Sequence, residues 1–453
     1  MVTVLTSIFW LIITLGVLVT FHEWGHFLLA RLFGVKVLRF SVGFGKPIWS
    51  RFDRHGTEIA VAPIPLGGYV KLLDERDCDV SDADKNKAYN HKPAWQKFLI
   101  MFAGPAFNFI LAFALYWMMF VVGKPEIKPT IGEPVKLMAE AGFSAKDQLL
   151  EVDGEPVSTW SDVSMFLITA GLDHRDIPVT VKTEQGSLQE KTLALSKLPE
   201  DIKESKMMSA IGLQPWRIPV PAVMGELSPG LPAARAGLQA GDRVIAINGQ
   251  AVEDWYDLSE KIGQISPPVH LTYVRDGQQF ETEIKRLVTD PDNPDRQVIG
   301  IRPTAPSQQV TDYARSLYYD LSYGPIQAIP MAWQEMLKIT GKSLEMIGKL
   351  LLGKASLENL SGPITIAQVA SDSAARGFSW YLSFLALISL SLGIINLLPV
   401  PMLDGGQILF LLFEKIKGAP LSEQFEVRAQ LLGMMMLVCL MTLAIYNDIL
   451  RTL

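Results

Sequence analysis

A charged motif inside the first hydrophobic segment constrains the fold of this chain more than any other feature. Residues 1–21 contain no charged side chain, and the motif His-Glu-Trp-Gly-His occupies residues 22–26 before the apolar pattern resumes. In a helix, residues four apart lie on one face one turn apart, so one divalent metal can bridge His22 and His26. The spacing therefore predicts a metal site, with Glu23 beside it, within or at the edge of a membrane span.

A chance match and a signal peptide are the two alternatives for this segment. A short pattern of two histidines and one glutamate also arises by chance in soluble domains. An ionisable side chain at the centre of a bilayer costs about 3 kcal/mol, however, which favours a functional site. A secretory signal peptide would need a preceding Lys or Arg and a small-residue cleavage site, and the segment lacks both. We expect it to remain as a transmembrane helix.

Composition indicates a membrane protein with four spans. Hydrophobic residues make up 49% of the 453 residues, a high share for a purely soluble protein. A span needs about 20 apolar residues, and three further uncharged stretches reach that length. They lie at 98–123, 377–403 and 429–447. With the first segment they predict a polytopic α-helical membrane protein.

The distribution of Lys and Arg predicts the orientation of these spans. Twelve Lys or Arg residues fall between residues 31 and 97, and Lys415, Lys417 and Arg428 follow the third span. Positive residues concentrate in cytoplasmic loops, so we expect both regions on the cytoplasmic side and residues 124–324 on the opposite side. The net charge of −6 is dispersed without a basic stripe, which gives no indication of nucleic-acid binding.

The long segment between the second and third spans contains an internal repeat. Four features recur at a constant offset of 95 residues, as from Gly142 to Gly237. The pairs are Gly142-Phe143 with Gly237-Leu238, Asp147 with Asp242, Asp153-Gly154 with Asn248-Gly249, and Trp160 with Trp255. Such self-similarity predicts two copies of one domain, at 124–215 and 216–305.

The second copy resembles a PDZ domain of the circularly permuted kind found in bacterial proteases. It combines Gly-Asp at 241–242, a predicted strand at 243–247 and an Asn-Gly hairpin turn at 248–249. In PDZ domains a peptide adds as a strand to a sheet edge, and backbone N–H groups capture its terminal carboxylate. By this resemblance, the edge is an apolar-Gly-apolar strand. Its residues are Ile211, Gly212 and Leu213 in the first copy and Ile299, Gly300 and Ile301 in the second.

The alternative is that the two domains are inert spacers. It applies most to the first copy, because Lys146 stands where the second copy has Gly241.

After the repeat, residues 306–376 are predicted to form an amphipathic helical segment. Apolar residues recur at helical spacing with charged residues between them. The apolar positions are Trp333, Met336, Leu337, Leu344, Ile347 and Leu351. This pattern suits a helix at the membrane interface, or an ordinary soluble helix packed beneath the second repeat.

The loop between the first and second spans holds two apolar, glycine-rich stretches. They cover residues 40–45 and 61–70 and are too short to span a bilayer as helices. We predict a membrane-associated β-hairpin region that dips toward the bilayer. Non-helical backbone at that depth must be buried in protein or line a wet cavity, so the strands are expected to flank the active site. A soluble cytoplasmic hairpin is the alternative.

A catalytic zinc takes three protein ligands, so the two histidines of the motif need a third partner. The other histidines, His55, His91, His174 and His270, fall outside the predicted spans. Asp404 ends the third hydrophobic stretch, where two prolines interrupt the helix. A carboxylate at membrane depth is costly without a partner, so Asp404 is the candidate third ligand. Alternatively, it only caps a short helix at 407–413.

Together these motifs resemble the site-2 intramembrane metalloproteases along essentially the whole chain. The first span has His-Glu-x-x-His, and the second has Gly-Pro-Ala-Phe-Asn at 104–108. The third has Asn-x-x-Pro-x-Pro-x-Leu-Asp-Gly-Gly at 396–406, and tandem PDZ domains lie between. The joint occurrence of these features is highly specific.

The resemblance implies a set of site residues. Its zinc ligands are His22, His26 and Asp404, with one Zn²⁺ per chain and Glu23 as the catalytic carboxylate. Residues expected to position the substrate are Asn396, Gly43, Gly45, Gly67 and Gly68. The donor set would also accept iron or cobalt.

The predicted division of the chain follows from these assignments. It comprises the first span at 1–31, the β region and loop at 32–97, the second span at 98–123, the PDZ domains at 124–215 and 216–305, the amphipathic segment at 306–376, the third span at 377–403, a cytoplasmic loop at 404–428, and the fourth span with the tail at 429–453.

The implied function is zinc-dependent regulated intramembrane proteolysis in the inner membrane of a bacterium, with the metal motif near the cytoplasmic side and the PDZ domains in the periplasm. The expected substrates are single-pass membrane proteins, such as an anti-sigma factor already cut once in an envelope stress response, and remnant signal peptides. A membrane-anchored PDZ scaffold or sensor is the main alternative. A transporter with a broken third helix is another, although no transporter-type repeat is visible among the spans.

Overall fold

The computed structural model describes residues 2–76, 79–290, 293–419 and 421–452. Its elements are numbered in chain order. The α-helices are α1 Val2–Leu32, α2 Ala94–Val122, α3 Lys136–Glu140, α4 Trp160–Gly171, α5 Glu204–Ile211, α6 Pro232–Arg235, α7 Trp255–Gln264, α8 Gln308–Leu317, α9 Ala328–Leu351, α10 Pro363–Arg376, α11 Phe378–Asn396, α12 Asp404–Lys417 and α13 Glu423–Thr452. The β-strands are β1 Val37–Phe44, β2 Trp49–Phe52, β3 Glu58–Val61, β4 Ile64–Leu72, β5 Lys124–Ile127, β6 Gln148–Val152, β7 Glu155–Pro156, β8 Ile177–Lys182, β9 Leu188–Leu193, β10 Met224–Leu227, β11 Arg243–Ile247, β12 Gln250–Ala251, β13 Val269–Arg275, β14 Gln278–Ile284, β15 Val288–Asp290, β16 Asn293–Val298, β17 Ile301–Pro303 and β18 Tyr318–Leu321.

Four helices, α1, α2, α11 and α13, are long and apolar enough to cross a membrane. The core of this part lies where α2 and α11 pack around Tyr116, Leu385 and Leu390, with Leu18 added from α1. Helix α11 ends at Asn396, before the predicted limit of residue 403. Proline disfavours a helical conformation in the residue before it and cannot donate a backbone hydrogen bond, and prolines follow at 399 and 401.

The β region after α1 forms one four-stranded sheet in the order β2-β3-β1-β4. The two apolar stretches predicted as strands are neighbours in it, because β1 pairs antiparallel with β4 through Phe40 with Val70 and Val42 with Gly68. Strand β3 lies parallel to β1 on its other side. Strand β4 is therefore an edge of this sheet.

Two modules of equal topology follow, which we call the first module (residues 128–215) and the second module (residues 216–305). Their sheets have the orders β7-β6-β8-β9 and β12-β11-β13-β14. The aligned sequence pairs occupy equivalent places. The turns Asp153-Gly154 and Asn248-Gly249 all have positive φ, as hairpin turns of this kind require. Helices α4 and α7 begin at the paired tryptophans.

The predicted strand at residues 211–213 of the first module is wrong. Ile211 is the last residue of α5, and Gly212 ends that helix in a left-handed conformation with φ of 83°. The segment Glu204–Ile211 consists mostly of residues that favour helix over strand, such as Glu, Lys, Met and Ala. In the second module, Gly300 also has positive φ, at 81°. Ile299 and Gly300 connect β16 to β17, and Ile301 begins β17, which pairs with β10.

The segment after the modules forms α8, β18, α9 and α10, with β18 paired to β5. Helix α9 lies between the first module and the core that α1, α2 and α11 form. Ala332 packs in this helical core, whereas Lys338 and Lys349 form ion pairs with Asp162 and Asp173 of the first module. The predicted apolar positions Trp333, Leu337 and Leu344 remain 51% exposed. This large apolar exposure suits a helix at a membrane interface.

Candidate metal centre

The site begins with a close approach of α1 to α2. A methyl group at Gly25 would overlap the backbone carbonyl of Ala103, so only glycine permits this spacing. Directly opposite the motif, a methyl group at Gly104 would overlap the imidazoles of His22 and His26. Small residues let helix backbones approach in membranes, and here they leave the space that the two rings fill.

Four potential ligand atoms lie close together: two imidazole nitrogens, and the two oxygens of one carboxylate, each of which faces a different ring. His22 Nε2 and His26 Nε2 are 3.3 Å apart. The Asp404 carboxylate oxygens lie 3.2 Å from His22 Nε2 and 3.4 Å from His26 Nε2. Two ligands at tetrahedral zinc are about 3.3 Å apart, given bonds of about 2.05 Å. One carboxylate oxygen of Asp404 is buried without a hydrogen-bond partner among the described residues. The donor set therefore fits a tetrahedral zinc with one open position.

Asp404 reaches the histidines because the chain folds back after α11. Methyl groups at Gly405 and Gly406 would overlap the carbonyls of Leu397 and Val400, so the two glycines allow the loop to pack on the first turn of α12. Asp404 is the first residue of α12, and the capping position, Leu403, makes no side-chain hydrogen bond. Asp404 is thus not the side-chain cap of this helix, and its carboxylate faces the imidazoles.

Glu23 faces the edge strand β4. Val70 of this strand lines the same cavity as Glu23. Gly68 lies so close to α1 that a Cβ atom there would be 2.8 Å from Val19 Cγ1 and 3.1 Å from Glu23 Cγ. A cavity of about 320 Å³ separates β4 from the loop before α12. Its lining comprises His22, Glu23, His26, Gly68, Tyr69, Val70, Leu72, Met101, Asn396, Met402, Leu403 and Asp404.

The structure distributes the predicted substrate-positioning residues unevenly. Asn396 and Gly68 line this cavity. Gly43 and Gly67 instead pack inside the β region, against the Ala62 carbonyl and the Phe44 ring, and Gly45 lies beside Pro63. The latter three glycines lie outside the lining and shape the sheet. Their predicted role in positioning a substrate stays a prediction.

Two residues of α2 have roles that the sequence motifs did not predict. Gly104 makes room for the rings, and the Asn108 amide lies 3.1 Å from His22 Nδ1. Asn108 is completely buried. Its spacing of four from Gly104 and the cost of an amide inside an apolar span were the available signals.

A family model described as peptidase family M50 matches residues 10–440. The chain belongs to peptidase family M50. The M50 match includes the motif at 22–26, the Asn108 region and Asp404. It confirms the resemblance to site-2 proteases.

Two relatives of this M50 chain are similar over its full length. A Xylella fastidiosa protein, a zinc metalloprotease by name, is 40% identical over 98% of this chain and 99% of its own. The protein named Protease RseP of Yersinia pestis is 39% identical over the whole of both chains. The family and these relatives show that the chain is a metalloprotease.

Among solved structures, the PDZ domain of an SdrC-like protein from Listeria monocytogenes is 22% identical and covers 20% of this chain and 92% of its own, at a TM-score of 0.17. At that TM-score the similarity does not define a fold.

Proposed function

We propose that this M50 peptidase cleaves single-pass membrane proteins within the bilayer, using one zinc ion held by His22, His26 and Asp404. The observation that carries the proposal is the close approach of the His22, His26 and Asp404 ligand atoms, at 3.2 to 3.4 Å, next to Glu23, with both histidines on a helix that is apolar enough to span a membrane. A purely structural zinc site would be closed by a fourth ligand and would need no carboxylate beside it.

Glu23 performs the proton transfers in this mechanism. A zinc ion held by these residues would supply Lewis-acid chemistry and lower the pKa of a water molecule to about 7. Glu23 accepts a proton from the attacking water and later donates it to the leaving amine nitrogen. Gly68 and Val70 of β4 line the same cavity as Glu23.

Strand β4 presents the substrate. Peptide bonds in a transmembrane helix are tied up in internal hydrogen bonds, so the helix must unwind before cleavage. Pairing of the unwound segment with the edge of β4 replaces the lost backbone bonds. Gly68 and Asn396 line the cavity at this edge, where they can position the substrate backbone.

The two modules are proposed to be tandem PDZ domains on the periplasmic side of a bacterial inner membrane, with the metal motif near the cytoplasmic face. They admit only substrates whose extracytoplasmic part has been trimmed. An anti-sigma factor cut once by another protease, in an envelope stress response, and remnant signal peptides have this form.

The test is cleavage of a tagged single-pass reporter that lacks most of its extracytoplasmic domain. We expect the wild-type chain to cleave it and Glu23→Gln to lose at least 100-fold in rate, in line with loss of a general base. A matched control is Glu140→Gln, at an exposed ion pair with Lys197, which should cleave normally. Equal cleavage by Glu23→Gln would contradict the assigned role, and cleavage of no reporter in a panel would favour the PDZ scaffold.

A further inference from the structure

We propose that Asn108 of α2 accepts a hydrogen bond from His22 Nδ1–H and so orients this imidazole for the metal. The inference rests on the proposed function, because it assumes that His22 Nε2 is a metal ligand. Asn108 acts through His22 and is a positioning residue.

The present arrangement of the amide leaves two polar groups badly matched. Asn108 Nδ2 lies 3.1 Å from His22 Nδ1, whereas Asn108 Oδ1 is buried without a hydrogen-bond partner among the described residues. A buried acceptor without a partner destabilises the folded state. The site therefore contains an oxygen that needs a donor next to a ring nitrogen.

Metal binding supplies that donor. A neutral imidazole carries one N–H, so a ring that offers its Nε2 lone pair to a metal carries the hydrogen on Nδ1. The amide NH₂ of Asn108 cannot accept this hydrogen, but its oxygen can. The two ends of an amide have nearly the same shape, and a half-turn about the last side-chain bond exchanges them. This rotation satisfies both His22 Nδ1–H and Asn108 Oδ1.

His26 has the same arrangement in a fixed form. Its Nδ1 is 2.8 Å from the backbone carbonyl oxygen of Ile100, which can only accept a hydrogen bond. The Nε2 lone pair of His26 is thereby left for the metal. Ile100, Gly104 and Asn108 are spaced by four residues and share one face of α2. This face supplies an acceptor for each ring and an open space between them.

Asn396 is the competing partner for His22. Its Nδ2 is 3.5 Å from His22 Nδ1, at the limit of a hydrogen bond, and its side chain lines the cavity. Asn108 is closer, fully buried, and anchored because its backbone carbonyl accepts a hydrogen bond of 2.8 Å from Ser389 Oγ on α11. Asn108 therefore holds the ring, which leaves the Asn396 amide available to a substrate.

The test measures zinc affinity of the purified full chain by competition with a chromophoric chelator. The variants are Asn108→Leu, Asn108→Ala, Asn108→Asp, Asn396→Leu and His22→Ala. We expect a 10–100-fold weaker affinity for Asn108→Leu and Asn108→Ala, the usual effect of losing such an outer partner. Asn108→Asp retains an acceptor and should remain within about threefold of the wild type, as should Asn396→Leu.

The outcomes separate the two proposals. If the wild type binds no zinc, or if His22→Ala binds it equally well, the proposed metal site fails. If His22→Ala loses zinc but Asn108→Leu and Asn108→Ala bind normally, only the role of Asn108 is overturned. A loss with Asn108→Asp equal to that with Asn108→Ala would also overturn it, because an acceptor would then bring no benefit. Should Asn108→Leu fail to fold, the smaller Asn108→Ala provides the comparison.

Discussion

The first and second modules share a sheet order but differ in what lies beside their long helix. In the first module α5 occupies that place, and Met207 is fully buried against Gly171 of α4. In the second module α7 borders a cavity of about 60 Å³, closed on its other side by residues 297–301. The space beside the long helix is thus filled by the chain itself in the first module and open in the second.

Contacts with α9 extend this difference. Lys338 and Lys349 pair with Asp162 at the start of α4 and with Asp173 just after its end. Lys349 is 5% exposed and also donates to the Thr169 carbonyl. The comparison teaches that a repeated domain can be used twice in different ways. We infer that the first module is held in a fixed position against α9. We also infer that the second module is the one able to bind a peptide.

The largest expected effect comes from removing the buried cation. Lys349→Met should destabilise the chain by about 2 kcal/mol, because it leaves the buried Thr169 carbonyl without this donor and leaves Asp173 paired only with the exposed Lys354. Lys354→Met is a matched control, since Lys354 pairs with the same Asp173 but is exposed and should cost below about 1 kcal/mol. Urea unfolding of the full chain in detergent measures both. Equal effects would show that the buried pair does not hold the first module in place.

An intermediate effect is expected at the open space in the second module. Ser259 lines it on α7, and Ser259→Trp should fill the cavity and weaken binding of a peptide with an apolar carboxyl terminus about tenfold, or about 1.4 kcal/mol. Ser259→Ala loses the same hydroxyl but keeps the space, and it should bind as the wild type does. Fluorescence anisotropy of a labelled peptide compares them. Binding that is insensitive to Ser259→Trp would remove the proposed distinction between the modules.

The smallest expected effect is the loss of stability at low pH that comes from the ion pair between Asp162 of the first module and Lys338 of α9. Burial raises the pKa of Asp162, but Lys338 and the hydrogen bonds from Thr159 and Ser158 outweigh it and hold the pKa below the usual 3.8. Because the folded pKa is depressed, this stabilisation is complete above pH 3.8 and is lost as the pH falls through the folded value.

Glu335 also contacts Lys338, but its contribution to the pH dependence of stability has the opposite sign, because burial raises the pKa of Glu335 above 4.5. Asp162→Asn isolates the Asp162 contribution, because it leaves Glu335 unchanged. Urea unfolding at pH 6 and pH 3 should show a smaller acid-induced loss in Asp162→Asn than in the wild type. An identical loss in both would mean that Asp162 does not couple the first module to α9.

Local patterns in the sequence predicted the features that depend on local geometry. The helical spacing of His22 and His26, the Asn-Gly turn of the second module and the apolar spans all appear in the structure as expected. Asp404 was found from the cost of a carboxylate at membrane depth, and it lies beside the histidines. The catalytic and ligand roles of these residues stay predictions.

Features that depend on packing between distant segments were missed. The apolar-Gly-apolar patterns at 211–213 and 299–301 each contain a glycine with positive φ. The residues around each glycine decide whether it ends a helix, as in the first module, or precedes a strand, as in the second. Asn108 acquires its role only from the placement of α1 against α2. Gly43 and Gly67 contact parts of the sheet whose register the sequence does not encode locally.

The proposed ligand set also implies an order of events during biosynthesis. Asp404 follows His26 by 378 residues, so a nascent chain emerging from the ribosome carries two of the three ligands for most of its synthesis. The proposed metal centre would be complete only after α11 has been made and α12 has packed beside α2. A chain truncated before Asp404 is therefore expected to be inactive as a protease.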